Sequence, residues 1–382
     1  MEGLVNASIS VNRVRRSVFM SGTSARVQVL SNPSASSLQP YPIAARHISL
    51  ATVAGTQAYE RLRDIQEHEF PELQTDVSRA LDAVCAKAST ATYTDLTAEL
   101  IDLLRVLKIS TGERAWQEAV LPAARAHKIT QLVHECPFTS HSFSRPRGYP
   151  GDAGLLDFVY RHEDARAAAE AASEGGRTVM DFTVNVSACE AVRERKELLA
   201  QKIDEAAERR PGAHVLAIAC GHLREAESSV ALKQGKVARL LATDQDQISL
   251  DKVSAYRGSI SANIDVRNLS VRNILAGRHG LGEFDLVYAA GLYDYLEARV
   301  AARLTASLFK LLNPGGRLLI PNFLMGVHEE AYMEVYMDWY LLYRTRSEIE
   351  AFADEIAPES IASQRYFEDA SGTIGYLELE RA

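Results

Sequence analysis

The stretch from His214 to Gly221 constrains the fold of this chain more than any other. It reads HVLAIACG, an apolar run of strand length that stops at a turn of small residues, and the helix-prone segment HLREAESS follows at once. A buried strand, a tight turn and a helix begin a βα unit, in which a nucleotide-like ligand can rest on the turn. About 25 residues further on, the run VARLLATDQD places Asp244 where nucleotide-binding α/β domains carry a ribose-binding carboxylate.

Strand and helix signals alternate from this stretch to the C-terminus, which predicts a parallel sheet with crossover helices and an α/β fold class. The predicted strands are Val215 to Ala219, Arg239 to Thr243, Ile264 to Arg267, Phe284 to Ala289, Arg317 to Pro321, Ala362 to Phe367 and Gly375 to Glu380. A helix is expected from Ser347 to Ile356. Because only DASGT joins the last two strands, we expect them to form an antiparallel hairpin.

The N-terminal part of the chain has a different pattern. Residues 1–47 include the segment SNPSASSLQPYP and predict an arm and linker. From about residue 48, apolar residues recur at intervals of three and four, as at Leu73, Val77 and Leu81, which predicts helices. We therefore expect three parts: the arm and linker (1–47), a helical cap (48–177) and the sheet domain (178–382).

Composition narrows the classes of partner. The net charge of -8, with both signs interspersed, disfavours a nucleic-acid substrate. No apolar run approaches the roughly 20 residues that a transmembrane helix needs, and the segment VFMSGTSARV is too short and polar for a secretory signal. The four cysteines form no CxxC pair, so we expect reduced thiols, no metal site and a cytoplasmic location.

The segment from Pro137 to Tyr160 contains the motif RGYPGD. Its prolines and glycines predict a fixed, non-helical path, because proline sets φ and glycine permits conformations that are closed to other residues. Arg147, Tyr149 and Asp152 lie within six residues of one another. Two interpretations stay open: a connecting turn with an Arg to Asp ion pair, or a lid whose polar groups hold a zwitterionic ligand.

Five parallel strands followed by a reversed pair form the seven-stranded, Rossmann-like sheet of class I S-adenosylmethionine-dependent methyltransferases, which this half of the chain resembles. The motifs ACGHLRE, RGYPGD, GLYDYL and YLLYRT are similar to those of bacterial methyltransferases related to the makers of 3-hydroxypalmitic acid methyl ester, the PhcB type. The similarity runs from about Phe138 to the C-terminus. It departs at His222, where a smaller residue or proline is expected. Azetidine-2-carboxylate synthases share this fold.

The resemblance implies S-adenosyl-L-methionine as cofactor and assigns positions to it. Ala219, Cys220 and Gly221 would lie beneath its methionine part, and Ala290 and Gly291 beside its sulfonium. Asp244 and Gln245 would bind the ribose, with Asn268 and Leu269 at the adenine and Arg147 and Asp152 on the lid. Two alternatives stay open: Asn268 as the N-cap of the next helix, and the small-residue turn as a feature of packing alone.

The candidate catalytic residues are Tyr149, His222, Tyr293, Asp294 and Asn322. Methyl transfer to a carboxylate asks mainly for alignment, whereas a hydroxyl or amine acceptor needs a base, and His222, Asp294 or His328 could serve. Aromatic and methionine side chains recur at helical spacing between Pro321 and Arg344. They predict either ordinary packing against the cap or a homodimer partner, or the apolar wall of a substrate pocket with Asn322 and Arg344 as polar handles.

Three functions are compatible with these features. The first is methylation of a small molecule, such as the carboxyl group of a fatty or amino acid, in secondary or signalling metabolism. The second is cyclisation of S-adenosylmethionine itself to azetidine-2-carboxylate and methylthioadenosine. The third is a regulatory protein that binds the cofactor without turning it over.

Overall fold

The computed structural model describes residues 65–89, 91–261 and 263–382. The expected arm and linker (1–47) and the first part of the expected cap (48–64) lie outside the described residues. Backbone contacts group the described residues 65–89, 91–261 and 263–382 into one unit. The boundary between the cap and the sheet domain therefore stays a prediction.

The described N-terminal part is helical. Its helices are α1 (Phe70–Ala86), α2 (Tyr93–Ala115), α3 (Leu121–Ala126), α4 (Ile129–Val133), α5 (Pro137–Ser144), α6 (Ala153–Val159), α7 (Glu163–Ala171), α8 (Glu174–Thr183) and α9 (Ser187–Arg209), with a π-helical turn at Trp116–Val120. The predicted stripe of α1 is buried, including Leu73, Val77 and Leu81. Pro122 lies in the first turn of α3, where a missing N–H breaks no helical hydrogen bond.

The prediction of a non-helical path from Pro137 to Tyr160 is wrong except for the loop 145–152. Helix α5 has proline in its first turn, and the Cys136 sulfur accepts a hydrogen bond from the backbone N–H of Thr139 at 3.4 Å. Helix α6 begins after Asp152, whose carboxylate accepts from the N–H of Leu155 at 2.8 Å. Local N-cap hydrogen bonds therefore stabilise a helix on each side of the loop 145–152.

The sheet has the strand order β3-β2-β1-β4-β5-β7-β6. Its strands are β1 (Ala213–Ile218), β2 (Val237–Asp244), β3 (Ile264–Asn268), β4 (Phe284–Tyr288), β5 (Leu312–Phe323), β6 (Ile361–Glu368) and β7 (Ile374–Arg381). Strands β1 to β5 pair in parallel, while β7 is antiparallel to both β5 and β6. The expected seven-stranded α/β sheet with a final hairpin is confirmed.

Shorter helices connect the strands of this half. They are α10 (Val230–Lys233), α11 (Gln247–Tyr256), α12 (Val271–Leu275), α13 (Ala298–Phe309), α14 (Glu330–Tyr336) and α15 (Arg346–Glu350). The helix expected from Ser347 to Ile356 is shorter, because α15 passes into a 3-10 turn at Ala351–Ala353. Strand β5 begins before the predicted Arg317, because the segment NPGG lies inside it, where the register with β4 is irregular.

Both faces of the sheet are covered by helices, and successive side chains of β1 point alternately to the two faces. Val215 and Ala217 face the core that includes the N-terminal helices and α9, whereas Leu216 and Ile218 face a second core with α13. Strands buried on both faces require continuous apolar runs, as found in β1 and β4. The chain order reverses between β1 and β4, and the crevice at such a switch point is where ligands bind in open α/β sheets.

No helix among the described residues is both long enough and apolar enough to cross a bilayer. All four cysteines carry free thiols.

Candidate functional site

The turn after β1 has an unusual backbone. Ala219, Gly221 and Leu223 have φ values of 51°, 53° and 50°, in the left-handed region that costs energy for residues other than glycine. The Tyr256 hydroxyl donates to the carbonyls of His222 and Leu223, the latter at 3.0 Å, and so fixes the turn. Such strained turns persist where surrounding contacts fix them, as at ligand sites.

Asp244 ends β2 next to this turn and is 7% exposed. One carboxylate oxygen accepts from the N–H of Gly221 at 2.8 Å, and the other accepts from the N–H of Asp246 at 2.9 Å. Burial raises the pKa of Asp244, while these two N–H donors act in the opposite direction. A carboxylate has about four acceptor positions, so Asp244 can still accept a hydrogen bond from a sugar hydroxyl.

The loop 145–152, which we call the RGYPGD loop, lies over the turn. Arg147 donates to Asp246 at 2.8 Å and to the hydroxyl of Ser249 at 2.9 Å, so the loop is fixed to the start of α11. The Arg147 to Asp152 pair of the connecting-turn interpretation is replaced by these contacts. A Cβ on Gly221 would lie 3.1 Å from the Cβ of Ala153, which shows how closely the start of α6 covers the turn.

Two predicted residues of this loop have different surroundings. Asp152 is fully buried; besides capping α6 it contacts Nε2 of His141 at 2.9 Å, which makes it part of the loop's support. Tyr149 is half-buried, and burial together with the charges of Asp244 and Asp246 raises its pKa above the ordinary value. The Tyr149 phenol is therefore neutral and lies near the carboxylate of Asp244, at the end of β2.

His222 joins the turn to the loop. Its Nδ1 lies 2.8 Å from Asp157, and its Nε2 lies 3.0 Å from Nη2 of Arg147. Because arginine has no acceptor, Nε2 accepts this hydrogen bond and Nδ1–H donates to Asp157, which defines a neutral tautomer. The basic nitrogen is occupied by the contact with Arg147, which His222 positions here, and the role of His222 as a general base stays a prediction.

Asp157 anchors that contact. It also accepts from Arg224 at 2.9 and 3.1 Å, and both residues are buried. Burial alone would raise its pKa, but the hydrogen bonds from His222 and Arg224 hold the pKa of Asp157 below its ordinary value. Sequence reasoning missed Asp157, since only the pairing of α6 with the β1 turn makes it part of the site.

The ends of β2 and β3 form the rim of the site. Gln245 and Asn268 are exposed, and the Asn268 amide donates to the carbonyl of Gln245 at 3.2 Å. Leu269 is buried and donates its N–H to the carbonyl of Asp244 at 2.9 Å. Asn268 is not the N-cap of α12; that role belongs to Ser270. Asn268 therefore has an exposed amide at the edge where the resemblance places adenine.

The end of β4 combines an open turn with buried side chains. Cys220 and Ala290 are half-buried and Gly291 is exposed, so the backbone of the turns after β1 and β4 is accessible. Tyr293, expected at the pocket mouth, is completely buried, and its hydroxyl bonds to Thr305 at 3.0 Å. It packs against Phe352 in the core, so its catalytic assignment is wrong.

Three further candidates form a structural latch, defined as Asp294, Asn322 and Arg344. Asp294 accepts from the N–H of Phe323 at 2.8 Å, and burial raises its pKa. The Asn322 amide donates to the carbonyls of Phe323 and Leu342 and accepts from Arg344. Arg344 also donates to the carbonyl of Tyr293 at 2.8 Å. These polar groups hold 340–344 against β5, which corrects the roles of base and substrate handle.

His328 is also remote from the turns. It is 40% exposed, and its Nε2 pairs with Asp102 of α2 at 2.8 Å while Nδ1 contacts Arg105. The alternative of His328 as a base at the cofactor is therefore wrong.

An apolar cavity lies between the helical part and the segment after β5. Its volume is about 30 Å³, and its lining includes Phe138, Leu156, Val192, Tyr332, Met333, Met337 and Trp339. Four of these side chains come from the aromatic and methionine segment of the sequence. The cavity also touches the RGYPGD loop through Trp339, since a Cβ on Gly151 would lie 2.7 Å from the Trp339 ring. A volume of this size holds about one water molecule, so a hydrocarbon group would enter only if these apolar side chains moved apart.

Burial shifts the ionisable groups of the cavity wall. It raises the pKa of Glu329, which accepts from the hydroxyl of Ser187 at 3.2 Å. Burial also raises the pKa of Cys189 to about 12 and that of Tyr332 well above its ordinary value. The Cys189 thiol and the Tyr332 phenol are therefore neutral.

No protein-family model and no curated protein sequence matches this chain. Among solved structures, it is similar to one described as a possible exported protein from Bordetella parapertussis, at 15% identity and a TM-score of 0.47, with 69% of this chain and 98% of that chain covered. A magnesium protoporphyrin IX methyltransferase from Synechocystis PCC 6803 with bound SAH has 12% identity and a TM-score of 0.40, over 59% and 97% of the two chains.

An N-methyltransferase from Bradyrhizobium japonicum WM9 in complex with S-adenosyl-L-homocysteine is similar at 15% identity and a TM-score of 0.37, over 59% and 99% of the two chains. At these values the similarities do not identify a ligand or a reaction. The fold assignment rests on the strand order and directions of the sheet itself.

Proposed function

We propose that this chain binds S-adenosyl-L-methionine at the carboxyl ends of β1, β2 and β4 and transfers its methyl group to a small molecule. The observation that carries the proposal is the position of Asp244. Its carboxylate is oriented by the N–H of Gly221 and can still accept from a ribose hydroxyl, at a switch point between β1 and β4.

The residues present fit this cofactor along its length. Asn268 and Gln245 provide a polar rim beyond the ribose, and the exposed Gly291 lets the chain approach a sulfonium closely. When bound, the cofactor supplies an electrophilic methyl group. The RGYPGD loop lies over the β1 turn through the contacts of Arg147 and excludes water from it.

We propose a carboxylate acceptor with an apolar body. Methyl transfer is an in-line displacement that needs alignment of the acceptor with the methyl carbon, and an ionised carboxylate needs no base. The basic nitrogen of His222 is occupied by the contact with Arg147. A hydroxyl or amine acceptor would require a base, and His222 is not free for that role.

Cyclisation of S-adenosylmethionine is the second candidate. The close cover of α6 over Gly221 and the neutral Tyr149 phenol would also suit a reaction in which the substrate's own amine attacks its γ carbon. A Tyr149→Phe variant tests the loop in either reaction, because unchanged turnover would leave the phenol without a role.

One incubation separates the functions. Purified full-length protein is mixed with S-adenosylmethionine alone, or with S-adenosylmethionine and carboxylic acids of graded chain length, and the products are identified by mass spectrometry. We expect S-adenosylhomocysteine and a methyl ester only when an acid is present. Methylthioadenosine and azetidine-2-carboxylate from S-adenosylmethionine alone would contradict methyl transfer, and binding without any product would favour a regulatory protein.

A further inference from the structure

Arg195 places a cation on the apolar face of α9. It lies three residues after Val192 and four before Leu199, both of which are buried in the core. Residues at this spacing share one face of a helix. Arg195 itself is only 4% exposed. Its guanidinium is therefore inside the protein, on the side of α9 that faces the sheet.

The neighbours of Arg195 do not neutralise it at short range. It interacts with the phenol oxygen of Tyr160 and, at longer range, with the carboxyl groups of Glu225 and Asp294. None of the salt bridges within residues 65–89, 91–261 and 263–382 includes Arg195. A guanidinium has five N–H donors, and a buried charge without a close partner is costly.

Both nearby carboxyl groups are engaged elsewhere. Glu225 accepts from the hydroxyl of Tyr288 at 2.7 Å, and Asp294 accepts from the N–H of Phe323 at 2.8 Å. Burial raises the pKa of each. Because their charged forms are disfavoured, they are weak counter-ions for Arg195.

The guanidinium reaches the open edge of the sheet. Its Nη2 lies 4.0 Å from the position that a Cβ on Gly291 would occupy, and Gly291 is exposed. Arg195 also interacts with Glu225, which lies four residues after Gly221. The guanidinium is therefore near the turn after β1 as well. A ligand that spans the turns of β1 and β4 would therefore have one end beside Arg195.

We propose that Arg195 binds the carboxylate of the methionine part of S-adenosylmethionine. This inference rests on the proposed function. With the ribose at Asp244 on β2, the amino-acid part extends over the β1 turn toward β4, where Arg195 lies. A planar guanidinium can donate two parallel hydrogen bonds to a carboxylate, and the ligand would supply the close anion that the protein does not. Arg195 would then make the site select ligands that carry this carboxylate.

The test compares two ligands that differ by one group. Isothermal calorimetry on the full-length protein measures S-adenosylhomocysteine and its decarboxylated analogue, which keeps the nucleoside, the thioether and the amine. We expect the wild-type protein to bind S-adenosylhomocysteine about 10- to 100-fold more tightly, the range for hydrogen bonds to a charged group. Arg195→Met should lower this affinity to that of the analogue, whereas the affinity for the analogue should not change.

Two controls separate a binding role from a structural one. Arg209→Met removes an exposed arginine at the other end of the same helix and should leave both affinities unchanged. Arg195→Lys keeps the charge and should retain part of the discrimination. Equal affinity of the wild-type protein for the two ligands would overturn the inference without any variant. Equal weakening of both ligands by Arg195→Met would overturn it as well.

If the wild-type protein binds neither ligand, the proposed function fails and this inference fails with it. If it binds S-adenosylhomocysteine and Arg195→Met binds it equally well, only the inference about Arg195 fails.

Discussion

At the scale of single residues, His222 and Asp157 connect the cofactor turn to the RGYPGD loop. The Asp157 carboxylate accepts from His222 and Arg224, and His222 in turn accepts from Arg147. Each group in this series of hydrogen bonds fixes the orientation of the next. The series explains how the polar RGYPGD loop is held over the strained turn.

Replacement of His222 by glutamine tests its role. We expect weaker binding of S-adenosylmethionine, because one amide cannot keep the contacts that the two ring nitrogens make with Arg147 and Asp157. Turnover at saturation should stay within about tenfold of the wild type. Loss of a general base would cost about 100- to 10,000-fold in turnover. Steady-state kinetics of His222→Gln measure both quantities, and a fall of that larger size with unchanged affinity would support the catalytic assignment.

Asp157 gives a pH dependence of stability with a definite sign. Its folded pKa lies below the ordinary value of 3.8, so the unfolded chain binds the proton more readily. The stabilisation is therefore complete above the unfolded pKa and is lost as the pH falls through the folded pKa. Urea unfolding of the wild type and of Asp157→Asn should give a difference in unfolding free energy that shrinks as the pH falls below about 4. A constant difference would contradict the charged contact.

At the scale of elements, the RGYPGD loop depends on a close approach at Gly151. A Cβ at this position would lie 2.4 Å from the Tyr295 hydroxyl and 2.7 Å from the Trp339 ring, which are themselves joined by a hydrogen bond of 2.7 Å. Only glycine fits without a shift of the loop or of both aromatic side chains. The loop, the end of β4 and the wall of the apolar cavity therefore meet at one point.

Gly151→Ala should displace the loop. Overpacking of this kind costs about 1 to 3 kcal/mol, which we expect to appear as faster tryptic cleavage after Arg147 and as weaker binding of S-adenosylhomocysteine. Gly258→Ala is the matched control, since a Cβ there would meet no atom within 4 Å. Equal cleavage rates and affinities for the two variants would show that the loop does not depend on this contact.

At the scale of the whole molecule, the sheet could be predicted because its signals are local. Strands buried on both faces need continuous apolar runs, and VLAI in β1 and FDLVY in β4 provide them. Helix α8 was missed because its first turn contains Gly175 and Gly176, which disfavour a helix. The structure explains Gly176: a Cβ there would lie 2.2 Å from the carbonyl oxygen of Glu135.

The site was less predictable because its contacts join distant parts of the chain. Asp244 and Gly221 could be proposed from local motifs, whereas Arg195 and Asp157 have no motif and enter the site only through the packing of α9 and α6 against the sheet. Tyr293 and Asn322 show the opposite case. Both are polar residues near strand ends, yet their hydrogen bonds serve the core and the latch.

Calorimetric titration with S-adenosylhomocysteine tests most directly whether one site for S-adenosylmethionine lies at Asp244. The wild-type protein should bind one equivalent. Asp244→Ala should weaken binding by about 1 to 3 kcal/mol, the scale of lost hydrogen bonds to a charged group. Asp265→Ala, which removes an exposed carboxylate from β3, should bind like the wild type. Absence of binding, or equal affinity of the Asp244→Ala and wild-type proteins, would contradict the account.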